Sequence, residues 1–128
     1  MPENPKEILQ NANAAILQGD YEGFLAFCTE DTEWTFVGDR TLKGKQAVRE
    51  WMAAEYQEPP KFEVHYLVAE NDVVAALGEI TLKGEAGKEV RHAYCDVWRF
   101  RDGRMAGLQA FVIEAEPKNG ASPSAPGS

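Results

Sequence analysis

HAYCDVWRFRDGRMAGLQAFV, residues 92–112, reads as two long antiparallel strands joined at Asp102-Gly103. Asp-Gly between two apolar runs is a strong hairpin signal, because both residues tolerate positive φ. Strand side chains alternate between faces. His92, Tyr94, Asp96 and Trp98 therefore share one face, and Ala93, Cys95, Val97 and Arg99 the other. After the turn the pattern predicts Ala106, Leu108, Ala110 and Val112 on one face, with Met105, Gly107, Gln109 and Phe111 opposite. Neither face is plainly polar, so the sheet is expected to be covered on both sides. One face carries an acid, an imidazole and a phenol among large aromatics, a mixture suited to a pocket.

Upstream of this hairpin the chain is β-rich. Phe62–Ala69 and Val73–Lys83 read as strands, turned at Asn71-Asp72, and Gly84–Gly87 is a loop. In the first of these, Phe62, Val64 and Tyr66 share a face and His65 points the other way. Earlier still, helical signals dominate. Asn4 can cap a helix with Pro5 at its first position and Glu7 at its third. Ile8, Leu9, Ala12, Ala15 and Ile16 recur at helical spacing. Gly19-Asp20 ends that helix and starts another, with Phe24, Leu25, Phe27 and Cys28 as its apolar face, ending near Glu30-Asp31. Thr32–Val37 alternates as a short strand, with Trp34 and Phe36 on one face. A third helix runs from Lys45 to about Tyr56 on a Val48, Trp51, Met52, Tyr56 stripe. Glu58-Pro59-Pro60 breaks it.

The order is α-α-β-α-β-β-β-β, helices early and strands late. That is the α+β pattern of a curved antiparallel sheet wrapped around three N-terminal helices as a cone-shaped barrel. Residues 1–114 are expected to be one domain. Residues 115–128, AEPKNGASPSAPGS, hold no large apolar side chain and are expected to be a disordered tail.

The totals narrow the function. The 128 residues carry a net charge of −8 with no basic cluster, which argues against nucleic acid and anionic membranes. No apolar h-region and no membrane-length apolar run is present, so a cytoplasmic protein is expected. Cys28 and Cys95 have no metal-type spacing and read as free thiols in a reducing compartment. His65 and His92 fall on opposite strand faces and cannot chelate one ion, so no metal and no cofactor is expected.

Gly19-Asp20 with Phe24 and Phe27, then EDTEWTFVG (30–38), LKGKQAVREWM (42–52) and DVWRFRDGRMAGLQAF (96–111), together resemble the SnoaL-like and ketosteroid-isomerase-like branch of the nuclear-transport-factor-2-like superfamily. The likeness spans roughly residues 5–114. It implies a small cofactor-free enzyme of isomerase, cyclase or hydrolase type, acting by acid–base chemistry on a hydrophobic carbonyl-bearing or cyclic molecule. In ketosteroid isomerases an Asp of the penultimate strand, kept neutral by an apolar site, hydrogen-bonds the substrate oxyanion. Asp96 matches that position. The family's base Asp falls at Phe36 and its oxyanion Tyr near Ala12, so two of three catalytic groups differ here. SnoaL-like cyclases often carry an acid or His late in the last strand, where this chain has Ala110, Phe111 and Val112. Limonene epoxide hydrolases use an Asp-Arg-Asp set, toward which only Asp96 and Arg91 can contribute. These departures leave a non-catalytic binder of a similar ligand as the alternative.

Asp96 is the sharpest candidate, since mid-strand is a costly place for an unpaired carboxylate. Tyr94 and His92 are its candidate assistants. On a strand rising about 3.3 Å per residue, His92 lies about 13 Å away, within reach of the far end of one small ligand. Trp34, Phe36, Met52, Tyr56, Phe62, Trp98, Leu108, Ala110 and Val112 are expected to line the pocket. The apolar outer face predicts a homodimer.

Overall fold

A computed structural model describes residues 4–83 and 87–115. Three helices precede or interrupt the early strands: α1 (Pro5–Leu17), α2 (Tyr21–Leu25) and α3 (Lys45–Glu55). Six strands complete the chain: β1 (Cys28–Phe36), β2 (Arg40–Lys43), β3 (Lys61–Glu70), β4 (Val73–Lys83), β5 (Glu89–Arg101) and β6 (Arg104–Glu114). They form one curved, open sheet in the order β2-β1-β6-β5-β4-β3, so the β5–β6 hairpin lies at its centre. The ladders are antiparallel except for β1 beside β6, which is parallel. The sheet does not close on itself, so it is a cone with a gap rather than a barrel. The 84–87 loop falls largely outside the described residues, as does the tail from residue 116.

The cap expected at the first helix is complete. Asn4 Oδ1 accepts from the Glu7 amide at 2.9 Å, and Glu7 Oε1 accepts from the Asn4 amide at 3.4 Å. Asn4→Ala removes one of these bonds and should cost about 1 kcal/mol. Calorimetry should then show the melting temperature lowered by roughly 4 °C; an unchanged value would mean that the helix end is held from elsewhere.

Three local features depart from the simple alternation. The second helix stops at Leu25, and Cys28 already pairs with Met105 in the sheet, because the Met105 amide donates to the Phe27 carbonyl at 2.7 Å. β6 bulges: Arg99 pairs with Gly107 but Phe100 with Met105, so Ala106 is the extra residue. The bulge turns Met105 from the outer face into the core, where it is fully buried. A second bulge in β3 skips His65 between Val64 and Tyr66. It throws Tyr66 to the outer face, 67% exposed, instead of beside Phe62 and Val64.

The core lies between the helices and the inner face of the sheet. Ile8, Leu9, Ala12 and Ile16 of α1, Phe24 and Leu25 of α2, and Val48 and Met52 of α3 pack on Val74, Trp98, Met105 and Leu108. These side chains fill the end of the cone nearest the β5–β6 turn. Toward the other end, filling stops and the site begins.

Candidate functional site

The cross-strand register sets which side chains surround Asp96. Its neighbours on the same row are Ala76 of β4 and Ala110 of β6, with Phe36 of β1 one strand further on. The next row toward the core holds Val74, Trp98, Leu108 and Trp34. The row on the other side holds Gly78, Tyr94 and Val112. Large side chains thus stand on both sides of a row in which the residues beside Asp96 are alanines. The carboxylate sits at the floor of a hollow, and the helices cover only part of it.

That hollow is a cavity of about 630 Å³ whose lining includes Asp96, Tyr94 and Tyr56. Of the expected lining residues, Trp34, Phe36, Tyr56, Phe62, Trp98, Leu108, Ala110 and Val112 face it, and Met52 does not. Met52 is buried in the core. Trp51, beside it on α3, faces the cavity instead. The stripe on α3 identified the buried face but not the depth at which each side chain ends. Asn13, Phe24, Ala76 and Ile80 also line the cavity and were not foreseen. Ala76 had a readable signal, a small residue in a strand otherwise rich in Val and Leu.

The aromatic rings form a connected wall. Trp34 stands edge-on to Trp98 with centroids 5.4 Å apart, and Phe24 meets both. Phe36 lies against Trp51 at 4.9 Å, and Trp51 meets Tyr56 at 5.2 Å. Trp34 Nε1 is buried with no hydrogen-bond partner among the described residues. The backbone carbonyl of Tyr56 lies 3.5 Å from the Tyr21 hydroxyl, which ties the end of α3 to α2.

Asp96 has no hydrogen bond or ion pair among the described residues. It keeps some accessible surface, because it faces the cavity, while apolar atoms crowd it elsewhere. Burial alone pushes its carboxyl up to about 7, since desolvation penalises the charged form. The Tyr56 and Tyr94 phenols are both raised above their usual range, first by burial and then by the nearby Asp96 charge. Both hydroxyls therefore stay protonated at neutral pH and are available as donors. An acid titrating near neutrality beside two neutral phenols can give or take a proton at physiological pH.

The other candidates are placed differently. His92 is half-buried on the same strand but does not line the cavity; its Nδ1 lies 3.1 Å from the Val90 carbonyl. Arg91 points to the outer face, 3.8 Å from Glu79, and is not joined to Asp96. Phe36 lies in the cavity wall, and Ala12 of α1 is fully buried. Cys28 is buried and its thiol is pushed up to about 12, chiefly by burial, so it is inert. At the mouth, Lys83 lies 3.9 Å from Glu58 and Lys61 2.8 Å from Glu89. These exposed pairs hold the Glu58–Lys61 segment across the opening but contribute little stability.

Comparison with known proteins agrees with this architecture. An NTF2-like protein of Burkholderia pseudomallei superposes with a TM-score of 0.75 at 19% identity, over 84% of this chain and 89% of that one. An LEH-like epoxide hydrolase of M. tuberculosis gives 0.75 at 16% identity, over 84% and 81%. TerC, co-crystallised with polyporic acid, gives 0.72 at 18% identity, over 83% and 88%. No curated protein matches in sequence. Identities this low establish the fold alone. The model of the SnoaL-like domain family matches residues 9–108, a span that takes in the helices, the Asp96 strand and most of the sheet, and the chain is therefore a member of the SnoaL-like family.

Proposed function

We propose that this chain is a small cofactor-free enzyme of isomerase, cyclase or hydrolase type that works by acid–base chemistry on a hydrophobic carbonyl-bearing or cyclic molecule. The observation that carries this reading is Asp96, an unpaired acid titrating at about 7 on the floor of an aromatic cavity. In its neutral form it donates a hydrogen bond to a ligand oxygen; ionised, it accepts a proton. Tyr94 and Tyr56 supply further donors from the same walls. His92 is a rim group at most, within reach of a long ligand's outer end. The epoxide hydrolase and TerC folds support a small-molecule enzyme. A turnover screen of cyclic ketones, enones and epoxides tests the reading. Asp96→Asn should abolish any turnover found while leaving ligand affinity within about threefold. Turnover that survives the substitution would place the chemistry elsewhere.

A non-catalytic binder of the same ligands is the second reading. It is favoured by Phe36, an inert ring stacked on Trp51 in the row of Asp96, and by Ala12 at the other departure.

We further propose a homodimer through the outer sheet face, in the cytoplasm. Tyr66, Val68, Phe111 and Ile113 there are 67%, 60%, 40% and 70% exposed, more apolar surface than water favours. Arg99 lies over Gly107 on that face with no acid paired to it among the described residues. The unpaired Cys28 and Cys95 support a reducing compartment. Phe111→Lys should halve the mass seen by sedimentation at micromolar concentration; a wild-type monomer would refute the dimer.

A further inference from the structure

We propose that the cavity also binds small organic ammonium ions, gripped between the ionised carboxylate of Asp96 and the aromatic wall that faces it. This rests on the reading of the cavity as a ligand site centred on Asp96, and on no particular reaction.

The argument starts from a missing partner. A buried carboxylate ordinarily sits beside a cation or several donors. Around Asp96, β4 presents Ala76, β6 presents Ala110, β1 presents Phe36, and α1 presents Asn13. The ionisable groups near it are the phenols of Tyr94 on its own strand and Tyr56 at the end of α3. Neither is a cation. The Cys95 thiol belongs to the opposite face of the strand, and Asp96 raises it further. The charged groups that line the cavity are all solvent-exposed: Asp39, Arg40, Glu55, Glu58, Lys61, Lys83 and Glu89. Lys61 and Lys83 are engaged with Glu89 and Glu58. Among the described residues, the inside of the cavity thus holds one potential negative charge and no positive one.

The walls complete the complement. Trp98 and Tyr94 flank Asp96 on the strand, and Trp51, Tyr56 and Phe36 form the ring cluster of the wall. Ring faces attract a desolvated cation through the quadrupole of the π system, and quaternary and tertiary ammonium ions are the ions that accept such a shell. A quaternary ammonium needs no hydrogen-bond acceptor, so one carboxylate and the ring faces suffice for it. A cavity of about 630 Å³ admits an ammonium head with a hydrocarbon or aryl body. The chain's net charge of −8 draws cations toward it. The two protonation states of Asp96 then serve opposite ligands. The neutral acid favours an oxygen acceptor, and the ionised acid favours an ammonium.

The test uses the full 128-residue chain and three probes, measured by tryptophan fluorescence and calorimetry from pH 5 to pH 9. Benzyltrimethylammonium is the cation, neopentylbenzene its neutral isostere, and cyclohexanone the oxygen ligand. At pH 8.5 the cation should bind at least about tenfold more tightly than the isostere. Its affinity should rise with pH up to about 7 and level off above, following ionisation of Asp96. Cyclohexanone affinity should be level below about pH 7 and fall above it, and the isostere should show no pH dependence. Asp96→Asn should erase the cation's advantage and its pH profile while leaving the isostere unchanged. Equal affinity for cation and isostere at pH 8.5, or a preference that survives Asp96→Asn, overturns the proposal. If cyclohexanone binds and the cation does not, this inference alone falls. If none of the three binds, the ligand site itself is wrong.

Discussion

Asp96→Asn is expected to make the protein more stable at pH 8 by about 3 kcal/mol, and to make almost no difference near pH 4. An unfolded Asp titrates at about 3.9, and the folded carboxyl is raised to about 7. Between those values the native chain binds more protons than the unfolded one. Stability must therefore fall as pH rises through that window. It is fully present below about pH 4, where both states are protonated, and lost by the time the folded carboxyl has ionised. Each unit of difference is worth about 1.4 kcal/mol, and water in the cavity screens part of the total. The asparagine side chain has nearly the same shape and never ionises, so it escapes the loss. Urea titrations of both proteins at several pH values would read this directly, and thermal unfolding should show a gap in melting temperature of roughly 10 °C at pH 8. A constant loss of stability at every pH would mean that Asp96 has a stabilising partner.

Gly78→Ala should cost about 3 kcal/mol, for a purely steric reason. Gly78 lies on the inner face of β4 between Val64 and Tyr94. A Cβ there would strike the Glu63 backbone carbonyl and come within 3.1 Å of the Tyr94 hydroxyl oxygen. The carbonyl belongs to β3 just before the His65 bulge, so neither strand can yield without breaking its ladder. Thermal unfolding should show a drop of roughly 10 °C. Any catalytic or binding assay should show Tyr94 displaced as well. A drop of only a degree or two would show that β3 is loose at its bulge.

Much of this architecture was legible. Asp102-Gly103 fixed the central hairpin, and the β5 register follows the alternation from His92 to Trp98. Asn4, Pro5 and Glu7 announced the first helix. What escaped was governed by single inserted residues. Ala106 and His65 carry no chemical mark of a bulge, yet they moved Met105 inward and Tyr66 outward. The early end of α2 was hidden because Phe27 and Cys28 satisfy either period, and contact with Met105 decides it. At the site, the isolation of Asp96 could be foreseen, because no basic residue on its face lies nearer than His92. The presence of Trp51 and the absence of Met52 could not, because periodicity gives direction and not depth.

The parallel ladder between β1 and β6 has a kinetic meaning. It zips the first long strand to the last, Trp34 beside Leu108 and Phe36 beside Ala110. Local pieces such as the β5–β6 hairpin can form within microseconds, whereas this pairing must wait for nearly the whole chain to be brought together. On a ribosome, α1, α2 and β1 emerge with their apolar faces uncovered, and β1 has only the short β2 to pair with until β6 is free. The ladder that joins first strand to last is therefore where a slow step or an aggregating intermediate will reside.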